Sequence, residues 1–290
     1  MACCVRHDET MLTSVPISAV RKKEESPPSF TRGRNKMDPV YALWDEMDTI
    51  SAGNSDEALS TLSLRLSQLL NADNVRWLGA VRVLHDRSAR RDRLRGWRLR
   101  ASYDMMPDSG ERFQQKGEPG DDFQVGLATE ALIAGVGQFR VHRMRDGWIN
   151  FREFRKSEHF DLHYEKLGIT DRMWVSFPLN ADTESIFLID RKCDRPHFLA
   201  LDASLAGAIL RGMRGFHHRL LLSRGLVVGN TPLSPVARRI VQGLLTGMSE
   251  KEIAVSVNQC AGTTHKYIKT IYTCFAVNSR AALMALWLSM

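Results

Sequence analysis

Two short amphipathic patterns, separated by turn-forming residues, lie in the segment 247–275 and constrain the fold of this chain most. The first opens with Ser249, and Glu252 follows three residues later, a spacing that predicts a capping box at a helix start. A turn is expected at 258–261, and a second helix is predicted from Thr263 to about Phe275. Helices this short must bury their apolar sides against neighbouring helices, so the segment predicts a small helical bundle.

The second helix of this pair is predicted to have one apolar side and one cationic side. At about 100° per residue, the apolar side collects Thr264, Ile268, Ile271, Tyr272 and Phe275. The opposite side collects Lys266, Lys269, Thr270 and Thr273, with His265 on the flank. Such a helix fits the major groove of B-DNA, where lysines reach phosphates or guanine O6 and N7. N–H groups near Thr263 can meet a phosphate. The simpler alternative is a solvated helix face.

Four stretches near the C-terminus occur in a family-typical order: LSP at 233–235, GMSEKEIA at 247–254, TTHKYIKTIY at 263–272 and FAVNSRAAL at 275–283. In these stretches, about the last fifth of the chain resembles the LuxR-type helix-turn-helix domain. The resemblance implies a four-helix DNA-binding module of a transcription regulator, usually a homodimer. Double-stranded DNA is then the expected partner, and RNA polymerase is a further candidate partner. We add Lys251, in the first helix of the pair, to the candidate DNA-contacting residues.

Some positions depart from the usual family residues. The family usually has Glu, Val, Lys, His and Lys where this chain has Ala237, Thr264, His265, Tyr267 and Cys274. A histidine carries less positive charge than a lysine, so Lys266 and Lys269 are the main candidates for DNA contact. The segment 231–290 holds six Lys or Arg against two Asp or Glu, a net charge of +4.

Composition narrows the class of protein. The net charge is +7 and the pI is near 9.3, which favours a polyanionic partner. No apolar run reaches the roughly 20 residues that span a bilayer, and no secretory signal is recognisable. Five cysteines without metal-ligand spacing fit a reducing cytoplasm. We find no catalytic pair, metal motif or cofactor motif, so we expect a protein that is not an enzyme.

Three regions are predicted along the chain: a disordered leader at 1–36, a sensor and dimerisation domain at 37–228, and the helix-turn-helix domain at 229–290. Met37 is an alternative start of translation to Met1. Strand-like runs at 77–84, 96–103, 139–144, 173–179 and 185–191 predict an α+β sensor with an antiparallel sheet flanked by helices. By fold-level analogy this resembles GAF- or PAS-like domains.

Helical patterns in the sensor are predicted at 38–70, 121–135 and 151–168, and Ser55 is expected to be an N-cap. A long helix at 198–222 is expected to couple the sensor to the spacing of two DNA-binding units. The boundary between the domains is placed at the breaker GNTP, residues 229–232.

The sensor offers weaker site candidates. Five aromatic residues are candidate ligand-lining residues, although an ordinary core explains them more simply: Trp77, Trp97, Tyr103, Trp148 and Trp174. His159 and His163 lie on one helix face but need further ligands to hold a metal. Cys260 is expected to be a small buried thiol, with a redox switch as the alternative. The arginine-rich loop at 85–95 is expected to be a solvated hairpin rather than a docking site.

Two functional hypotheses follow from these features. The first is a transcription regulator that binds a specific DNA sequence and responds to a small-molecule effector or a partner. The second is a protein-interaction antagonist that forms mixed dimers with another LuxR-type regulator. Binding to genomic DNA fragments discriminates between them.

Overall fold

A computed structural model describes residues 37–83, 92–106, 125–193, 195–228 and 232–289. The predicted leader, most of the arginine-rich loop, the start of the helical pattern at 121–135 and positions 229–231 of the predicted domain boundary lie outside the described residues. Among the described helices, none is both long enough and apolar enough to cross a membrane.

An antiparallel sheet forms the centre of residues 37–228, here called the sensor after the role that the sequence predicts for them. In the described residues it contains β1 (Asn74–Arg82), β2 (Trp97–Asp104), β3 (Arg140–Arg143), β4 (Ile169–Asn180) and β5 (Thr183–Lys192). The strand order is β2-β1-β5-β4-β3, and every neighbouring pair is antiparallel. The long β4–β5 hairpin turns at 181–182, within the turn-like NADTE segment.

Two layers of helices cover the two faces of this sheet. The first layer contains α1 (Asp38–Asp48), α2 (Ser55–Leu70), α6 (Ala200–Arg211) and α7 (Arg214–Ser223). Its core is built on the predicted leucine stripe of α2, where Leu59, Leu62 and Leu66 are fully buried. The second layer contains α3 (Leu127–Ala134), α4 (Phe151–Phe154), α5 (Glu158–Phe160) and a π-helical turn at Asp161–Glu165. Because strand side chains alternate between faces, neighbouring strand residues belong to different cores.

The long helix predicted at 198–222 is wrong, because the chain breaks into α6 and α7 at Gly212 and Met213. The indole of Trp44 lies where a Cβ at residue 212 would stand, so only glycine fits there. The break frees backbone carbonyls that are satisfied by side chains from outside α6. Trp44 Nε1 donates to the Ile209 carbonyl at 3.2 Å, and His217 Nε2 lies 2.9 Å from the Leu210 carbonyl.

Two smaller helical predictions are also corrected. Ser55 is the first residue of α2 rather than its N-cap, because Asn54 already accepts the first helical bond, from the Ala58 N–H. The helix predicted at 151–168 is broken near Ser157. This serine donates to the Phe154 carbonyl and accepts from the Phe160 N–H, which ends one helix and begins the next.

Four helices follow the sensor and share a core of their own. They are α8 (Pro235–Leu245), α9 (Glu250–Ser256), α10 (Ala261–Cys274) and α11 (Arg280–Leu288), here called the four-helix module. The predicted caps are confirmed: Ser234 accepts from the Ala237 N–H, and Ser249 and Glu252 form the capping box. Gly247, with φ of +87°, follows α8 in the left-handed region that favours glycine.

The sensor and the four-helix module are in contact through several of the described residues. Leu222 of α7 is buried in the core of the module. Asp56, in the first turn of α2, lies 2.6 Å from an Arg224 nitrogen and 4.0 Å from Arg238 Nε on α8. The loop before α2 approaches the end of α8, where a Cβ on Gly53 would lie 3.1 Å from Leu245 Cβ.

Candidate functional site

The two sides of α10 are separated as the helical wheel predicts. Ile268, Ile271 and Phe275 are buried in the core of the module, and Thr264 is fully buried beside them. The opposite side is exposed and carries His265, Lys266, Lys269, Thr270 and Thr273. The helix is thus held by its apolar side while its ammonium groups remain at the surface.

The threonine hydroxyls on the exposed side have fixed roles as hydrogen-bond donors and acceptors. Thr270 Oγ1 donates to the Lys266 carbonyl at 3.1 Å, and Thr273 Oγ1 donates to the Lys269 carbonyl at 3.0 Å. Because each proton is used within the helix, the free lone pairs make these hydroxyls acceptors toward solvent or a partner. The lysines are pure donors, so the exposed face offers both kinds of hydrogen-bonding group.

The flank of this face contains a contact between α9 and α10. His265 Nδ1 lies 3.1 Å from a Glu250 carboxylate oxygen, and both side chains are half exposed. This places a negative charge beside the cationic face. Lys251, the next residue after Glu250, is exposed on α9.

The start of α10 carries a thiol and a hydroxyl in contact. Cys260 Sγ lies 3.1 Å from Thr263 Oγ1, at the N-cap position of the helix. The hydrogen bond from Thr263 and the backbone N–H groups of the first turn lower the pKa of the Cys260 thiol. Cys260 is exposed, so the prediction of a small buried thiol is wrong. The turn before the helix projects the side chain outward instead of into the core.

Arg280 holds the module together, a role not predicted from the sequence. Its Nε donates to the Leu244 carbonyl at 2.7 Å, Nη1 to Met248 at 2.7 Å and Nη2 to Gly243 at 3.1 Å. These carbonyls lie at and just beyond the C-terminal end of α8, where helix carbonyls lack partners and the helix dipole is negative. The single guanidinium of Arg280 therefore holds α11 against the end of α8.

The five aromatic candidates for a ligand pocket do not converge. Trp77 and Tyr103 face the layer of α1, α2, α6 and α7, whereas Trp97, Trp148 and Trp174 face the opposite layer. Trp148 stacks on His142 with ring centres 4.4 Å apart and meets Trp174 edge-on at 5.0 Å. Because the sheet lies between the two groups, no single pocket can contain all five residues.

Beneath the second layer lies a buried ionic cluster, also not predicted from the sequence. The Asp190 carboxylate accepts from Arg172 Nε at 2.5 Å and Nη2 at 3.0 Å, and from Arg76 Nη2 at 3.4 Å. All three residues are at most 3% exposed. Arg76 Nε also lies 3.0 Å from Asp104. Burial opposes the charge of Arg172, but Asp190 and Tyr164 raise the pKa of this arginine, so Arg172 stays charged. Burial, followed by the charge of Arg172, lowers the pKa of Arg76.

The histidine pair beside this cluster is confirmed as a close pair. The rings of His159 and His163 lie 4.6 Å apart. Burial, followed by the charges of His163 and Arg172, lowers the pKa of His159 to about 4. Within the part of the chain that the structure describes, no group of three or more His, Cys, Asp or Glu side chains is placed to hold a metal ion.

Comparisons with known proteins give only remote likeness. No protein-family model matches the sequence, and no curated protein matches it significantly. Among solved structures, SdiA of Escherichia coli aligns at 12% identity and a TM-score of 0.42, over 86% of this chain and 95% of SdiA. SdiA in complex with octanoyl-rac-glycerol aligns at 11% identity and a TM-score of 0.42, over 85% of this chain and 92% of that one.

The ligand-binding domain of VqsR from Pseudomonas aeruginosa aligns at 11% identity and a TM-score of 0.38, over 63% of this chain and 94% of that one. At TM-scores of this size, the likeness establishes neither a shared fold nor a shared function.

Proposed function

We propose that the chain is a sequence-specific DNA-binding transcription regulator in which α10 enters the major groove. The observation that carries the proposal is the division of α10, whose apolar side is buried while Lys266 and Lys269 are exposed. A helix supported by a bundle and cationic on its outer face has the shape and charge that the groove accepts. The resemblance of 233–288 to the LuxR-type domain supports the same assignment.

Within this proposal, the remaining exposed residues have distinct roles. Thr263 and the N–H groups of the first turn of α10 meet a phosphate and fix the register of the helix. Thr270 and Thr273 accept hydrogen bonds from base amino groups. Lys251, exposed on α9, contacts the backbone of the duplex, and His265 contributes when it is released from Glu250.

The sensor supplies regulation in this proposal. Residues 37–228 form a GAF- or PAS-like domain that responds to a small-molecule effector, and two chains form a homodimer on an inverted-repeat operator. The contacts of α2 and α7 with the module support a physical connection between effector binding and α10.

The test is binding of the purified full chain to fragments of its source genome, followed by a salt titration on a retained fragment. The double variant Lys266→Ala with Lys269→Ala is expected to lose retention. On any fragment that it still binds, the slope of log K against log salt should fall by about 1.8 per chain, because each phosphate contact contributes about 0.9.

A matched control separates contact from overall charge. Lys156 and Lys166 are exposed lysines on the sensor, so changing both to Ala removes the same charge outside the four-helix module. This variant should bind as the wild type does. Equal losses of DNA binding in the two double variants would contradict the proposal, and so would a wild-type chain that does not bind duplexes at low ionic strength.

The second candidate is the antagonist that forms mixed dimers with another LuxR-type regulator. The contact between His265 and Glu250 favours it, because a carboxylate beside the cationic face weakens attraction to phosphate. An antagonist would retain no genomic fragment and would reduce DNA binding by a second LuxR-type regulator when the two are mixed.

A further inference from the structure

A histidine beside the cationic face of α10 is held by a carboxylate of the neighbouring helix α9. His265 Nδ1 lies 3.1 Å from Glu250 Oε2. Both side chains are half exposed, so the pair lies at the surface of the module and not in its core. Within the part of the chain that the structure describes, no hydrogen bond to the other ring nitrogen, Nε2, accompanies this contact. The contact therefore uses one edge of the imidazole and leaves the other edge for a partner.

The partner of Nδ1 decides which ring nitrogen of the neutral imidazole carries the proton. A carboxylate only accepts hydrogen bonds, so Nδ1 has to donate and holds the proton. Nε2 then keeps its lone pair and can only accept. This arrangement is the reverse of a histidine free in water, whose proton favours Nε2. Glu250 thus makes the outer edge of His265 a hydrogen-bond acceptor.

We infer that His265, positioned by Glu250, selects adenine or cytosine at one position of the DNA site. This inference rests on the proposed entry of α10 into the major groove. His265 is the fifth residue of α10 (Ala261–Cys274), and the N-terminal part of a recognition helix is the part that reaches base edges. In the major groove only adenine N6 and cytosine N4 donate hydrogen bonds, whereas guanine and thymine present acceptors. An acceptor nitrogen pairs with the first two bases and is repelled by the other two.

This role differs from that of the two lysines on the same face. Lys266 and Lys269 only donate, so they bind phosphates or the acceptors of guanine. When His265 is released from Glu250, its proton can occupy either nitrogen, and the ring adds to binding without a choice of base. Glu250 is therefore a positioning residue, which acts on the bases only through the imidazole.

The position of the proton is tested on the full chain without DNA. Nitrogen-15 NMR of histidine-labelled protein distinguishes protonated from unprotonated ring nitrogens, and pH 8.0 lies well above the ordinary imidazole pKa of about 6.5. The signals of His265 are identified by their loss in His265→Lys. They should show the proton on Nδ1 in the wild type and mainly on Nε2 in Glu250→Ala. A wild-type ring with its proton on Nε2 would overturn the inference, whether or not the chain binds DNA.

The choice of base is tested with a pool of duplexes that have a randomised core. The full chain is selected against the pool at pH 8.0, and the affinities of the most enriched duplex and its single-base variants are measured. One position should prefer adenine or cytosine over guanine or thymine by about fivefold, the contribution of one hydrogen bond. His265→Lys should turn this preference toward guanine. Glu250→Ala should abolish it, whereas Glu250→Gln should retain it, because the amide oxygen still accepts from Nδ1.

A matched control separates base reading from added charge. His197 is a half-exposed histidine of the sensor, 3.8 Å from the Asp171 carboxylate. His197→Lys therefore adds the same charge outside the four-helix module, and it should leave the base preference unchanged. An equal change of preference in His197→Lys and His265→Lys would overturn the inference.

Three further results would overturn the base-reading role while DNA binding stands. They are the absence of any position at which His265→Lys changes the preference, a wild-type preference for guanine or thymine at that position, and equal behaviour of Glu250→Ala and Glu250→Gln. A wild-type chain that binds no duplex refutes the DNA-binding function, and the base-reading role with it.

Discussion

His217 makes the stability of the sensor depend on pH in a way that can be worked out from its contacts. It is fully buried and stacks on Phe177 with ring centres 4.2 Å apart. Trp77 Nε1 donates to Ser185 Oγ, so the single hydroxyl proton of Ser185 is free to donate to His217 Nδ1 at 2.8 Å. Nε2 then carries the ring proton and donates to the Leu210 carbonyl. In this arrangement the neutral imidazole satisfies both ring nitrogens and also uses the Ser185 proton.

Burial accordingly lowers the pKa of His217 from 6.5 to about 4. In the unfolded chain the imidazole binds a proton near its ordinary pKa, whereas in the folded chain it stays neutral. Stability from this residue is therefore present above pH 6.5 and is lost as the pH falls toward 4. With about 1.4 kcal/mol per pKa unit, the loss at pH 5.0 is about 2 kcal/mol.

His217→Gln removes the titrating group and isolates this effect. The variant should be less stable than the wild type at pH 7.5, and the difference should be about 2 kcal/mol smaller at pH 5.0. Urea unfolding at both pH values, followed by tryptophan fluorescence, measures it. Ser185→Ala keeps the imidazole and should keep the steeper fall in acid. A difference between wild type and His217→Gln that is the same at both pH values would refute the reasoning.

Three further predictions concern the other contacts. Arg280→Lys should destabilise the module by about 2 kcal/mol, because one ammonium cannot reach three carbonyls in a fork, and calorimetry should show the module melting earlier; an unchanged melt contradicts this. Asp190→Asn leaves two buried arginines short of their counter-ion and should cost about 3–5 kcal/mol in urea unfolding; a cost below about 1 kcal/mol would show that the cluster matters little. The hydrogen bond from Thr263 lowers the pKa of Cys260, so iodoacetamide at pH 7 should modify Cys260 before Cys193. Peptide mass spectrometry would report the order of modification, and the reverse order would argue against an activated thiol at Cys260.

The four-helix module could be predicted closely because its signals are local. Ser234, Ser249 and Glu252 act within one helical turn, and the period of α10 is visible within 14 residues. The exposed and buried sides of α10 follow from that period alone. Arg280 is different, since its carbonyl partners lie 32 to 37 residues away and are chosen by packing.

The sensor could be predicted less closely, because several of its contacts join residues that are far apart in the sequence. Its strands could be predicted from apolar runs, but the break at Gly212 depends on Trp44, which lies far away in sequence. Arg76 and Asp190 are separated by 114 residues, and only strand register brings them together. The sequence gives one sign of this buried ionic cluster. Arg76 is a charged residue inside the apolar run NVRWLGAV, where a residue in contact with water is not expected. The aromatic candidates failed to converge for a related reason, because alternation sends them to both faces of the sheet.

Leu222 has a practical consequence for anyone who divides this chain. It belongs to α7 in sequence, yet it is buried with Leu233 and Ile240 in the core of the module. A fragment that begins at the GNTP breaker, residues 229–232, would lack Leu222 and would expose its place in the core of the module to water. An expressed C-terminal fragment should therefore begin before Arg214, so that it includes the whole of α7 and Leu222 can pack in the core of the module.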